Sequence, residues 1–120
     1  MGDNTDAVDE AYLTSIGLAL QSGVINVIDT SISYRETRSL AVIARTMRHF
    51  PREAIVVSSK LGKIPPECLP EGQGVSFLTK TLGLVPNRDF KSIKYNKNKS
   101  IWQSLHPAAL NYTLHSPEPG

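Results

Sequence analysis

The chain has 120 residues, of which 40% are hydrophobic and 20% charged, as is usual for a soluble globular protein. Its formal net charge of +2 excludes a polyanion binder that relies on charge along the whole chain, so we expect no nucleic-acid partner. The sequence lacks a run of about 18 apolar residues, the signature of a membrane span, so we expect no membrane partner. It also lacks the basic N-terminal segment of a signal peptide, and its single Cys68 cannot form a disulfide within the chain. We therefore expect a cytoplasmic protein.

The N-terminal part of the chain predicts a helix followed by a strand. Apolar and small residues recur at helical spacing over residues 6–21, where Asp6 or Asp9 would cap the helix and Gly23 would end it. The β-branched run at residues 24–28 has the composition of a strand that is buried on both faces.

A second helix and a second strand follow. Apolar residues recur at i, i+3, i+4 and i+7 within residues 36–49, and residues 55–59 form another short apolar run. This order of helix, strand, helix and strand is typical of βα units with a parallel sheet, in which the strands end at one edge. Asp29 and Lys60 each follow one of the strands, so we expect them on the same surface.

The second half of the chain is less regular. Prolines and glycines predict a mostly loop-forming segment at residues 63–87, with a short helix at 75–82. The basic segment 91–99 is interpreted as a solvated linker; its aromatic neighbours would also suit a nucleic-acid surface, but no binding motif supports that alternative. Residues 100–105 could form one or two helical turns, and residues 110–114 a short strand.

Three residues near the predicted strand ends form a candidate acid relay. Tyr34 lies five residues after Asp29, and Lys60 ends the neighbouring strand. Free tyrosine has a pKa near 10 and is a poor acid at neutral pH, but an adjacent ammonium lowers that pKa and a carboxylate can hold the ammonium in place. The alternative is that Asp29 caps a turn, Tyr34 packs on a helix and Lys60 is solvated.

Two sequence runs resemble motifs of the aldo-keto reductases. Gly-Val-Ile-Asn-Val-Ile-Asp-Thr-Ser-Ile-Ser-Tyr-Arg, which begins at Gly23, is similar to the family's strand that ends in Asp-Thr and is followed by a tyrosine. Ile-Val-Val-Ser-Ser-Lys-Leu-Gly, which begins at Ile55, is similar to the next strand of the family, which ends at a lysine. This resemblance is specific over residues 11–62, and Leu114-His115-Ser-Pro further resembles the family's Leu-His-x-Pro.

The resemblance implies reversible reduction of an aldehyde or ketone, with NADPH as the cofactor and a small-molecule carbonyl compound as the substrate. In that reaction Tyr34 would be the general acid, Lys60 would tune it and Asp29 would orient Lys60. His115 would orient the carbonyl oxygen, and Asp29 would also bind the nicotinamide end of the cofactor.

The implied fold class is α/β, a partial (β/α)8 TIM barrel of the aldo-keto reductase type with two or three parallel strands and an irregular second half. A closed barrel takes roughly 200 residues or more. We therefore expect residues 1–120 to form a single incomplete domain, with βα units at 6–62, a loop-rich segment at 63–109, and a strand end and tail at 110–120.

Other interpretations stay open beside the enzymatic one. His115 is either the catalytic histidine or an ordinary tail residue, and the three histidines at positions 49, 106 and 115 do not have the spacing of a metal site. The second hypothesis for the function is a catalytically inactive shortened product that self-associates through exposed strand edges.

Overall fold

The computed structural model describes residues 2–96 and 99–115, with the backbone alone for residues 95, 96 and 99. The chain divides into two compact units, with the boundary between Lys60 and Leu61. The helices and strands of the first unit are α1 (Asp6–Gln21), β1 (Val27–Asp29), α2 (Arg38–Met47) and β2 (Val56–Ser58). Those of the second unit are β3 (Lys63–Ile64), α3 (Gly74–Ser76), β4 (Lys91–Asn96), β5 (Lys99–Gln103) and α4 (Pro107–His115).

Helix α1 has the predicted bounds, but a different residue caps its start. The hydroxyl of Thr5 accepts a hydrogen bond from the backbone N–H of Val8 at 3.3 Å, so the prediction of Asp6 or Asp9 as the cap is wrong. A threonine hydroxyl satisfies a free N–H of the first turn just as an aspartate would. At the other end Gly23 adopts a φ of 74°, the left-handed conformation with which glycine commonly ends a helix, as predicted.

Strands β1 and β2 pair in parallel, as predicted, with Val27 opposite Val56 and Asp29 opposite Ser58. The prediction that β1 is buried on both faces is wrong. Ile28 is half-buried, whereas Val27 and Val56 are 55% and 57% exposed on the opposite face of the sheet. Successive side chains of a strand point to opposite faces, and the described residues of the first unit leave the face that carries these two valines largely uncovered.

The second unit contains a three-stranded antiparallel sheet in the order β3, β5, β4. The linker predicted at residues 91–99 is largely strand β4, and the helical turns predicted at 100–105 are replaced by strand β5. The reason is that Ile93 pairs with Ile101 across the hairpin while Trp102 is buried in the core of this unit. The buried members of that core are Ile64, Leu69, Leu78, Leu84, Phe90, Trp102 and Ala109.

The strand predicted at residues 110–114 is wrong, because this segment belongs to helix α4. Pro107 is the first residue of the helix, where its missing N–H costs nothing. The side chain of His106 caps the helix, with its Nδ1 accepting a hydrogen bond from the N–H of Ala108 at 3.2 Å. Ala109 and Thr113 then lie one turn apart on the buried side of the helix.

The short helix predicted at residues 75–82 is confirmed by α3, which continues into a π-helical turn at Phe77–Thr81. Within the described ranges β1 and β2 are the only two strands that pair in parallel. The third parallel strand was predicted at residues 110–114, in the segment that forms α4. The partial barrel thus stays a hypothesis.

None of the helices formed by the described residues combines the length and the apolar character needed to cross a membrane.

Candidate active site

The parallel register of β1 and β2 brings Asp29 and Lys60 together. Asp29 is the last residue of β1 and pairs with Ser58, the last residue of β2, so Lys60 follows its strand by two residues. The Nζ atom of Lys60 donates a hydrogen bond to Oδ2 of Asp29 at 2.9 Å and another to the backbone carbonyl of Thr30 at 2.7 Å. These two acceptors fix the ammonium at the end of the sheet.

The turn after β1 brings Tyr34 to the same place. The N–H of Thr30 donates to the carbonyl of Ser58 at 2.8 Å, which extends the contact between the strands, and the N–H of Tyr34 donates to the carbonyl of Ser31 at 3.1 Å. The Nζ atom of Lys60 lies 5.1 Å from the centroid of the Tyr34 ring, within the range of a cation–π contact. We call Asp29, Tyr34 and Lys60 the site triad.

The two charged members of the site triad, Asp29 and Lys60, stabilise each other. The hydrogen bond from Lys60, supported by one from Ser58, holds the pKa of Asp29 below its ordinary value. Asp29 in turn raises the pKa of Lys60, and Tyr34 adds to that shift. Both groups are therefore charged at neutral pH. The side chains of Lys60 and Asp29 are 49% and 63% exposed, so water and salt screen the pair.

A cavity of about 290 Å³ adjoins two members of the site triad. Its lining is mostly apolar and comes from α1, β1, α2 and the turn between β1 and α2. The side-chain oxygen of Thr30, one of the lining residues, is buried and has no hydrogen-bond partner among the residues that the structure describes. The residues that line the cavity are Tyr12, Ile16, Ile28, Asp29, Thr30, Tyr34, Ser39, Val42 and Ile43.

The backbone directly after Tyr34 has a conformation that the sequence did not reveal. Arg35, Glu36 and Thr37 have φ values of 50°, 54° and 75°, so three successive residues other than glycine adopt the left-handed region. Such residues are strained, and they persist only where the surrounding structure holds them. No glycine or asparagine marks this turn in the sequence, so residue type alone gives no signal for it.

His115 is the last residue of α4 and is exposed. The resemblance placed it at the end of a parallel strand, and the structure contradicts that local setting because the preceding residues are helical. The structure brings together Asp29, Tyr34 and Lys60, whereas His115 belongs to the second unit. A catalytic role for His115 stays a prediction.

Two other kinds of reactive group are a metal site and the thiol of Cys68. Among the described residues no group of three or more histidine, cysteine, aspartate or glutamate side chains is placed to hold a metal ion. Burial raises the pKa of the Cys68 thiol to about 11, with a smaller contribution from Glu67. This thiol is therefore protonated at neutral pH and is a poor nucleophile.

Comparisons with protein-family models, with curated proteins and with solved structures found no match for this chain. The case for a function therefore depends on the geometry of the site triad and on the sequence motifs that contain it.

Proposed function

We propose that this chain carries a site of the aldo-keto reductase type, which reduces an aldehyde or ketone to an alcohol. The observation that carries the proposal is the position of one ammonium group. Nζ of Lys60 lies 2.9 Å from Oδ2 of Asp29 and 5.1 Å from the centroid of the Tyr34 ring. These are the three residues that the sequence motifs single out, and the fold gathers them within one unit.

In the proposed reaction Tyr34 donates its phenolic proton to the carbonyl oxygen of the substrate. Lys60 stabilises the phenolate that this transfer leaves behind, and Asp29 keeps the ammonium of Lys60 charged and in place. NADPH, when bound, supplies the hydride that forms the new C–H bond. The cavity beside Asp29 and Tyr34 offers an apolar setting for an organic molecule.

The fit of NADPH to the chain can be judged at its nicotinamide end. The carboxylate of Asp29 is 63% exposed, so one of its oxygens is accessible to the amide N–H groups of a nicotinamide. Asp29 is accordingly the residue that would hold this end of the cofactor. We assign no residue to the phosphates or the adenosine.

The test of this proposal combines a binding measurement with a turnover measurement on the full chain. NADPH fluorescence should change saturably on titration with the protein, and a panel of small aldehydes and ketones should then oxidise NADPH. Tyr34→Phe should abolish turnover and leave NADPH binding nearly unchanged. The matched control is Tyr112→Phe, because the hydroxyl of Tyr112 donates to the backbone carbonyl of Cys68 in the other unit. Turnover that survives in Tyr34→Phe would exclude tyrosine as the acid.

A noncatalytic, self-associating chain is the second candidate, and one observation favours it. Val27 and Val56 lie side by side on the sheet of the first unit and are 55% and 57% exposed. Exposed apolar strands of this kind are prone to pair with another chain. Light scattering at rising concentration distinguishes the two candidates: a mass that stays monomeric contradicts self-association, and a dimer that Val27→Lys dissociates supports it.

A further inference from the structure

Arg35, the residue that follows Tyr34, is buried deeply for a charged side chain. Its side chain is 1% exposed and forms an ion pair with Asp9 of α1, in which Nη2 lies 2.7 Å from Oδ1. It also donates hydrogen bonds to the backbone carbonyl of Asp3, from Nη2 at 2.7 Å and from Nε at 3.3 Å. A buried guanidinium is costly unless it is paired, so these partners determine where Arg35 can lie.

The ring of Tyr12 adds a further contact to the same guanidinium. The central carbon of the Arg35 guanidinium lies 5.1 Å from the centroid of this ring. Tyr12 and Asp9 both belong to α1, so Arg35 fastens the backbone next to Tyr34 onto that helix. Nη1 of Arg35 is buried and finds no hydrogen-bond partner in the described part of the chain, which makes the pairing through Nη2 and Nε more important for keeping the charge buried.

One carboxylate holds both ends of the left-handed turn. Asp9 binds Arg35 and also accepts hydrogen bonds from Arg38, the first residue of α2, from Nη2 at 2.7 Å and from Nε at 3.3 Å. Burial raises the pKa of Asp9, but the hydrogen bonds from Arg38 and Arg35 outweigh this effect and keep the pKa below its ordinary value. The carboxylate is therefore charged at neutral pH. The strained segment therefore begins at Arg35 and is followed directly by Arg38, and both arginines are bound to the carboxylate of Asp9.

We propose that Arg35 is a positioning residue, which through Asp9 holds the strained turn that sets the ring of Tyr34 against Lys60. The turn has no glycine to adopt its backbone angles freely, so an external fastening has to keep it in place. The catalytic meaning of this role rests on the proposed function. The geometric role does not, because it concerns only the contact between Tyr34 and Lys60.

The geometric role can be measured by NMR without any turnover. The side-chain methylene protons next to Nζ of Lys60 should be shifted upfield by the Tyr34 ring current, relative to a Tyr34→Leu reference. Arg35→Lys keeps the charge but loses the forked pairing with Asp9 and Asp3, and Asp9→Glu displaces the carboxylate. Each variant should lose most of this upfield shift while its spectrum stays that of a folded protein.

Arg45→Lys is the matched control. Arg45 also joins α2 to α1, through Glu10 at 2.9 Å, but this pair is exposed and away from the turn. The control should keep the wild-type shift. A folded Arg35 variant that keeps the full shift would overturn the proposal. The proposal would also be overturned if Arg35→Lys and Asp9→Glu both unfold while Arg45→Lys stays folded. Arg35 would then be needed for the stability of the whole unit and not specifically for the position of the Tyr34 ring.

Turnover separates this proposal from the proposed function. If the wild type reduces a carbonyl compound, Arg35→Lys should lower kcat on the order of tenfold to a hundredfold and leave the Kd of NADPH unchanged. A wild type without turnover whose Lys60 shift depends on Arg35 would refute the proposed function and leave the positioning role standing. If the wild type has turnover and Arg35→Lys changes neither kcat nor the chemical shift of Lys60, the positioning role alone is refuted.

Discussion

Lys60 donates a hydrogen bond to Asp29 at 2.9 Å although the two residues are 31 positions apart in the sequence. The parallel register accounts for this contact, because Asp29 ends one strand of the pair and Lys60 follows the other. The ring centroid of Tyr34 is 5.1 Å from the same ammonium, which in the proposed reaction would stabilise the phenolate of Tyr34.

Under the proposed function, Lys60→Met should lower kcat by about a hundredfold or more, since general acid catalysis typically contributes 10²–10⁴-fold. Methionine keeps much of the apolar stem of lysine, so the fold should be little changed. The measurement is carbonyl-dependent oxidation of NADPH, with Lys63→Met as the control because Lys63 is an exposed residue of β3. Equal rates for Lys60→Met and the wild type would contradict the role of the ammonium.

The strained turn predicts an unusual response to glycine. Thr37 has a φ of 75° and its side chain does not cap α2, so Thr37→Gly relieves a left-handed β-branched residue. This relief, worth about 1–2 kcal/mol, should offset the flexibility that glycine adds to the unfolded chain, so the free energy of unfolding should stay level or rise. Ala44→Gly, inside α2, should instead lower it by about 1 kcal/mol. Thr37 is also buried, so glycine loses some packing at the same position. Urea denaturation measures both variants, and a loss for Thr37→Gly as large as for Ala44→Gly would contradict this prediction.

Asp89 should make the second unit sensitive to acid. The side chain of Arg88 and the backbone N–H of Val85 hold the pKa of Asp89 at about 2. Because the folded pKa lies below the unfolded value of about 3.9, the stabilisation is complete above the unfolded pKa and is lost as the pH falls towards 2. Thermal melts should therefore show wild type and Asp89→Asn converging between these two pH values.

The control for that experiment is Arg88→Gln, which removes the largest cause of the shift. In this variant the folded pKa of Asp89 lies closer to the unfolded value, so the total loss of stability should be smaller and should be complete at a higher pH than in the wild type. If the difference between wild type and Asp89→Asn is the same at every pH, the carboxylate of Asp89 is not paired in the folded protein.

The core of the second unit predicts a large effect at Leu78. This side chain is 0% exposed within the cluster that contains Trp102 and Phe90. Leu78→Ala should lower the free energy of unfolding by about 2–5 kcal/mol, through lost apolar burial and the cavity left behind. Leu114→Ala is the control, because Leu114 is 64% exposed and its truncation should change stability by less than about 0.5 kcal/mol. Chemical denaturation followed by the fluorescence of Trp102 reports on this core.

The sequence predicted the first unit better than the second, and the reason is physical. Both α1 and α2 show a regular apolar spacing, and β1 and β2 are short β-branched runs between them, so local pattern and fold agree. In the second unit β4 and β5 are stabilised by pairing with each other, as between Ile93 and Ile101, and neither strand has a pattern strong enough to predict it alone.

The residues of the candidate site were also predicted only in part. Asp29, Tyr34 and Lys60 were predicted because they follow strands and lie in runs that resemble a family motif, and the structure brings Lys60 into contact with the other two. Arg35 was not predicted as a site residue, because its importance comes from burial against Asp9, a partner on another helix. Contacts between distant segments leave no periodic trace in the sequence around either residue.

The cap of helix α4 depends on which nitrogen of an imidazole carries the hydrogen. Since Nδ1 of His106 accepts from the N–H of Ala108, that nitrogen has no hydrogen, and the ring proton of the neutral side chain is on Nε2. The start of α4 therefore selects one tautomer of His106, the one whose second ring nitrogen, Nε2, is left to act as a donor.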